Sequence, residues 1–173
     1  MEELKRDFSP PELLQADHEV SLFDCGKPAL NEWLRKYALS NQRNGFTRVL
    51  VTLAGNRVAG FYGLAPTAVL PTLMPRRIRT GRPPSQIPAI LIGQLAVDVT
   101  FAGRGLGSAL LRHALDRAVE GGRILGGRAI LVDAIDEQAE EFWKSNGFEP
   151  LGEKRSVLFR SITDVENWLS GRS

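Results

Sequence analysis

The stretch Ile90–Val119, ILIGQLAVDVTFAGRGLGSALLRHALDRAV, constrains this chain more than any other. It reads as a buried strand, a glycine-rich turn and an amphipathic helix. The run Ile90–Val97 is almost wholly apolar, as a strand covered on both faces should be. Gly93 inside it predicts a bulge or a close backbone approach. Asp98 ends the run, and Ala102-Gly103-Arg104-Gly105-Leu106-Gly107 follows. Glycines at alternate positions let backbone N–H groups face one point, and the start of the helix adds its partial positive charge. Such a turn suits a phosphate or pyrophosphate. It equally suits a tight turn with glycines for packing, and the glycines alone do not decide.

At 173 residues the sequence reads as a single domain, 1–173, with length enough for a real core. No apolar run approaches about 18 residues, so no transmembrane helix is expected. The start, MEELKRDFSPPELL, is mixed and acidic, unlike a signal peptide. Cys25 is the only cysteine, so no internal disulfide and no cysteine metal site are expected. His18 and His113 have no carboxylate or cysteine at a metal spacing and read as structural. The compartment these features suit is the reducing cytoplasm.

Charge is distributed unevenly. Trp33–Val97 contains no Asp or Glu, yet it holds Arg35, Lys36, Arg43, Arg48, Arg57, Arg76, Arg77, Arg79 and Arg82. A positive surface of this kind raises the local concentration of polyanions. Residues 65–88 add six prolines to four of those arginines and read mostly as loop, with room for a short helix from about 75. Guanidinium forks match phosphate oxygens bidentately. Arg76, Arg77, Arg79 and Arg82 are therefore candidate contacts for a nucleic acid or a partner protein.

The rest of the chain reads as follows. Ser9-Pro10-Pro11 bars a helix through residues 9–11, so 1–19 is irregular or a first strand. Phe23–Gly26 is a turn. Leu30, Trp33, Leu34, Tyr37 and Ala38 recur at helical spacing, which predicts a helix over 28–41. Thr47–Leu53 and Arg57–Leu64 form a hairpin around Gly55-Asn56. Gly121–Gly127 connects the long helix to a second buried strand, Arg128–Ala134. Asp136 caps a helix over 137–146, with Ala139, Phe142 and Trp143 on its core side. Val157–Arg160 is a late strand, and a capping box at Thr163–Glu166 starts a final helix. The expected class is α+β, in an α/β three-layer arrangement around a mixed central sheet.

These residues resemble the GNAT acetyltransferase superfamily over roughly 20–160. The resemblance lies in LAVD at 95–98, the turn at 102–107, ILVDA at 130–134 and AEEFWKSNGF at 139–148. It departs at Ala102, where Arg or Gln usually opens the turn. A backbone cradle does not need that side chain. The chain is more closely similar to the toxin branch of toxin–antitoxin pairs. Phe23-x-Cys25-Gly26, Leu30-Asn31-x-Trp33-Leu34, Gly45-x-Thr47-Arg48, Gly60-Phe61-Tyr62, Ile87-Pro88, Gln94–Asp98 and Asp133-Ala134 carry that likeness.

The resemblance implies a GNAT fold with two splayed parallel strands, 90–98 and 128–134, and acetyl-CoA as co-substrate without a metal. It implies cofactor contacts from Leu95, Ala96, Val97, Gly103, Arg104, Gly105, Leu106, Gly107 and Ser108, with Phe142 from the later helix. It implies acetylation of the α-amino group of an aminoacyl-tRNA, a homodimer, and silencing by a ribbon-helix-helix antitoxin. Trp143 stands where the toxin branch carries a tyrosine that protonates the leaving thiolate. An indole N–H donates a hydrogen bond but is no acid in water's range. Tyr62, Tyr37 and Ser145 are the other candidates for that role. Two alternatives accompany this reading. One is a GNAT enzyme acting on a small amine or a protein N-terminus. The other is a weakened acetyl-CoA-binding member.

Overall fold

In the computed structural model, which describes residues 2–171, the elements run in the order the sequence implies, with additions. They are α1 (Glu2–Asp7), β1 (Glu12–Leu13), α2 (Pro28–Glu32), a π-helical turn (Trp33–Tyr37), α3 (Ala38–Arg43), β2 (Arg48–Ala54) and β3 (Arg57–Val69). Then come a 3-10 turn (Pro71–Leu73), β4 (Ile87–Val97), a second 3-10 turn (Val99–Phe101), α4 (Leu106–Leu125), β5 (Ala129–Asp133), α5 (Glu137–Ser145), β6 (Glu149–Leu151), β7 (Lys154–Ser161) and α6 (Ile162–Leu169). The seven strands form one mixed sheet in the order β1-β2-β3-β4-β5-β7-β6. The parallel pair is β4 with β5, in register from Ala89↔Ala129 to Ile92↔Val132. The pairs β1–β2, β2–β3, β5–β7 and β6–β7 are antiparallel.

The chain forms two compact units, one of residues up to Ala65 with Gln94–Ala114, the other of Pro66–Gly93 with Leu115 onward. In the first unit the period-2 alternation of β3 sends neighbouring aromatic rings to opposite faces. Phe61 packs with Phe23, Leu34 and Ala38, beneath α2 and α3. Tyr62 turns the other way and meets His113 of α4, Oη to Nδ1 at 2.5 Å. Helices thus cover both faces of this part of the sheet, as the three-layer expectation required. In the second unit Met74, Ile78, Ile87, Ala129, Leu131, Leu151 and Phe159 form a separate core.

Several boundaries differ from the sequence reading. The long loop is shorter than 65–88. β3 runs on through Pro66 to Val69, because its alternation continues with Pro66 on the exposed side. β4 already begins at Ile87. The short helix is a 3-10 turn at Pro71–Leu73, not a helix from 75. Gly121 and Gly122 are no connection: α4 continues to Leu125. A Cβ at Gly122 would fall 2.8 Å from the Ile162 side chain, so that glycine serves close packing. The helix stops at Gly126 and Gly127, both with positive φ. The last helix starts two residues early, capped by Ser161, whose side chain accepts the Asp164 N–H at 3.0 Å. Gly93 faces open space, so no close approach explains it.

Candidate functional site

β4 is the spine of the site. Its side chains alternate between two helical layers within the first unit. Ala96 joins the cluster under α2 and α3. Val97 faces α4, where its Cγ2 would sit 3.7 Å from a Cβ at Gly107. Gly60 of β3 lets the strands and α4 close up: a Cβ there would meet Leu110 at 2.6 Å and the Ala96 carbonyl at 3.1 Å.

β4 ends at Asp98, whose wholly buried carboxylate is a junction. It accepts the Asp24 N–H at 2.9 Å, the Thr100 N–H at 2.8 Å and the Arg57 guanidinium at 3.1 Å. In return the Val99 N–H donates to the Asp24 carbonyl at 2.8 Å. Asp24 is held in turn by the Gly26 N–H and the Asn31 side chain, both at 2.9 Å. The Phe23–Gly26 turn is therefore bolted to the end of the site strand. Burial works to raise the Asp98 pKa, but the two amides and Arg57 outweigh it and hold the group below its ordinary value. The Gly26 amide, then Asn31, hold Asp24 low as well.

After the 3-10 turn the backbone enters the left-handed region twice, at Gly103 (φ +75°) and Gly105 (φ +84°). Side-chain-bearing residues adopt that region rarely. The first backbone bond of α4 is Ala109 N–H to the Gly105 carbonyl. The N–H groups of Leu106, Gly107 and Ser108 precede it and point out of the helix start, where the macrodipole concentrates about half a positive charge. Gly103, Arg104, Gly105 and Ser108 are exposed, and Leu106 is buried and anchors the turn. Backbone donors of this kind suit an anion and need no side chain at Ala102. The Arg104 side chain pairs with Asp7 of α1 and lies over the Phe8 ring, 4.9 Å from its centroid. The sequence offered no sign of that pairing.

In the second unit Asp136 caps α5, accepting the Ala139 N–H at 2.8 Å. Trp143 is 6% exposed and packs edge-on against Phe142 and Phe148, with centroids 5.2 and 5.0 Å away. Phe142 is half-buried. Of the other candidate acids, Tyr62 is fully buried and engaged with His113. Ser145 Oγ donates to the Phe142 carbonyl at 2.8 Å. Tyr37 is 51% exposed. The π-turn over Trp33–Tyr37 inserts an extra residue into the helix, and that takes Tyr37 out of the apolar stripe.

The arginine segment is pinned rather than loose. Met74 and Ile78 are buried, and Arg128 holds the Ile78 carbonyl at 2.9 Å. Arg77 is paired with Glu149 at 2.6 Å. Arg76, Arg79 and Arg82 are exposed and have no carboxylate partner among the described residues. His18 is structural, as expected: Nδ1 accepts the Gln15 N–H and Nε2 lies 3.1 Å from Glu12. Cys25 is a free thiol whose pKa burial pushes up. Among the described residues no group of His, Cys, Asp and Glu side chains is arranged to hold a metal ion.

Residues 45–150 match the Acetyltransferase (GNAT) domain family, and the chain belongs to that family. It is 42% identical over 142 residues to the "tRNA-acetylating toxin" of Mycobacterium tuberculosis (strain ATCC 25618 / H37Rv), covering 82% of this chain and 85% of that one. It is also similar to AtaT complexed with acetyl-methionyl-tRNAfMet, with a TM-score of 0.85 and 30% identity over 94% of this chain and 99% of that one. A third match is a Tyr-to-Phe variant of the AtaT toxin bound to the C-terminus of the antitoxin AtaR and acetyl-CoA. There the TM-score is 0.80 and the identity 29%, over 95% of this chain and 99% of that one.

Proposed function

We propose that this GNAT enzyme transfers acetyl from acetyl-CoA to the α-amino group of an aminoacyl-tRNA and acts as the toxin of a toxin–antitoxin pair. The observation that carries the reading is the cradle of Gly103–Ser108 beside β4, in a chain 42% identical to a protein named for tRNA acetylation. Acetyl-CoA, when bound, supplies an activated acyl carbon and a good leaving thiolate. The residues that would hold it are the amides of Gly103, Arg104, Gly105, Leu106, Gly107 and Ser108 at the pyrophosphate. Leu95, Ala96 and Val97 would hold the pantetheine arm by backbone pairing. In this reading a backbone N–H at Ala96–Val97 would donate to the carbonyl oxygen as charge develops there.

Trp143 takes the acid's place in sequence without its chemistry. The enzyme then runs without a dedicated proton donor at 143. A thiol of pKa about 8.5 leaves tolerably as thiolate, and an α-amino group of pKa about 7.7–8.0 is substantially neutral near pH 7.

The exposed Arg76, Arg79 and Arg82 support a polyanion surface. In this reading they take either the tRNA backbone or an acidic antitoxin tail. Arg77, held by Glu149, serves the same surface less directly. The partner expected is a ribbon-helix-helix antitoxin, and the active form expected is a homodimer in the cytoplasm. Among the described residues no helix is long and apolar enough to cross a membrane. Transfer of label from acetyl-CoA tests the reading, with bulk aminoacyl-tRNA, deacylated tRNA and small amines as competing acceptors. Label on aminoacyl-tRNA alone supports it, and label on the amines instead overturns it.

A further inference from the structure

Gln94 is the one polar side chain in the apolar run Ile90–Val97, and the structure gives it an unusual setting. It lies on the same face of β4 as Ala96, three residues from the strand end, so it looks toward α2 and α3 rather than α4. Opposite it on β3 is Gly63. A Cβ there would fall 3.0 Å from Gln94 Oε1, 3.4 Å from Thr47 Oγ1 and 3.7 Å from the Trp33 ring. The missing methyl group leaves room for the amide. Trp33 walls the spot and is itself stacked flat on Phe61, with centroids 5.9 Å apart and planes 11° apart. The Thr47 hydroxyl is committed, donating to the Leu64 carbonyl at 2.9 Å. The Gln94 amide is half-buried and has no hydrogen-bond partner among the described residues. Its polar atoms are not buried away from solvent, so they are free to exchange water for the groups of a ligand.

We infer that Gln94, with Gly63 and Trp33 around it, is the subsite for the acceptor amine. This rests on the proposed function, which puts the thioester carbonyl at Ala96–Val97. An attacking amine aims its lone pair at the acyl carbon, so its N–H bonds are what the protein can hold. Gln94 Oε1 accepts one of them. Its NH2 group donates to a carbonyl or hydroxyl oxygen of the same acceptor, such as the ester of an aminoacyl end. A neutral amide suits the task, because a carboxylate in its place would keep the amine protonated and unreactive. Trp33 offers an apolar edge for the acceptor's side chain.

The test is steady-state acetylation of bulk aminoacyl-tRNA by wild type, Gln94→Leu and Gln94→Glu, with acetyl-CoA affinity measured by calorimetry. Gln94→Leu is expected to lower kcat/KM about tenfold, the worth of one to two hydrogen bonds, with acetyl-CoA affinity and Tm held. Gln94→Glu is expected to move the rising limb of the kcat/KM profile to higher pH, since the carboxylate stabilises the ammonium form. An unchanged kcat/KM in Gln94→Leu would overturn the subsite. So would a parallel fall in acetyl-CoA affinity, or a Gln94→Glu profile with no shift. If wild type acetylates small amines but no aminoacyl-tRNA, the functional reading fails while Gln94→Leu still tests the subsite on the amine.

Discussion

The carboxylate of Asp98 accepts the backbone N–H of Asp24 across 74 residues of chain, at 2.9 Å. With Arg57 and Thr100 completing its partners, this one side chain ties the end of β4 to the turn before α2. Asp98→Ala removes three charge-assisted hydrogen bonds and leaves the amides and Arg57 short of an acceptor. A loss of about 2–4 kcal/mol in urea unfolding is expected. A change below about 0.5 kcal/mol would show that the junction carries no stability.

The same hydrogen bonds set an acid limb. Asp98 and Asp24 have folded pKa values held below the ordinary ones. Their contribution is therefore complete above about pH 4, the unfolded value, and is lost as pH falls through the depressed folded values. Wild type should lose stability over that range, and Asp98→Asn should lose less of it. Identical acid limbs for the two proteins would contradict the assignment.

Gly105→Ala forces a side chain into φ +84° at the mouth of the cradle. About 1–2 kcal/mol of stability should go with it. Acetyl-CoA affinity should fall roughly tenfold or more, because the amides of 106–108 lose their aim. Calorimetric titration gives both the affinity and a check against unfolding.

Trp143→Tyr restores a phenol at the branch's acid position. It is expected to raise kcat by up to about 10²–10⁴, the usual worth of a positioned proton donor. The smaller ring leaves space beside Phe148 and should cost about 1–2 kcal/mol in Tm-based stability. Equal kcat in both proteins would show that proton donation at 143 does not limit the reaction.

Replacing Arg76, Arg79 and Arg82 together by Ala should weaken tRNA binding and flatten its salt dependence. Each phosphate that goes unneutralised takes about 0.7–0.9 off the slope of log K against log salt. Arg77→Ala should add little, since Glu149 already occupies it. A slope unchanged in the triple variant would remove the segment from the tRNA surface. Charge reversal of Arg76 and Arg79 should also weaken antitoxin binding, measured in the same format.

Local chemistry is legible in the sequence and long-range chemistry is not. The strand at 90–97, the glycine turn and the Asp136 cap all follow from neighbouring residues, and all are present. The helix read over 28–41 is legible too, but a 3.6-residue period cannot register the extra residue of a π-turn, so Tyr37 leaves the stripe its spacing predicts. Pro66 reads as loop because a proline usually ends a central strand, yet the alternation carries β3 past it. Gly121 and Gly122 read as a break because the reason for Gly122 is Ile162, far along the chain. Asp98 reads only as the end of a strand, since Asp24 and Arg57 lie far off in sequence. The Asp7–Arg104 pair is of the same kind. Gln94 does carry a local signal: it is one polar residue in an otherwise apolar run.

The central claim is acetyl transfer to the α-amine of aminoacyl-tRNA. Its most direct test is mass spectrometry of nuclease-digested bulk aminoacyl-tRNA after incubation with acetyl-CoA and this protein. The account predicts terminal adenosine esterified by an N-acetylated amino acid, absent without acetyl-CoA. Aminoacyl-adenosine recovered unmodified, with the enzyme binding acetyl-CoA normally, would contradict it.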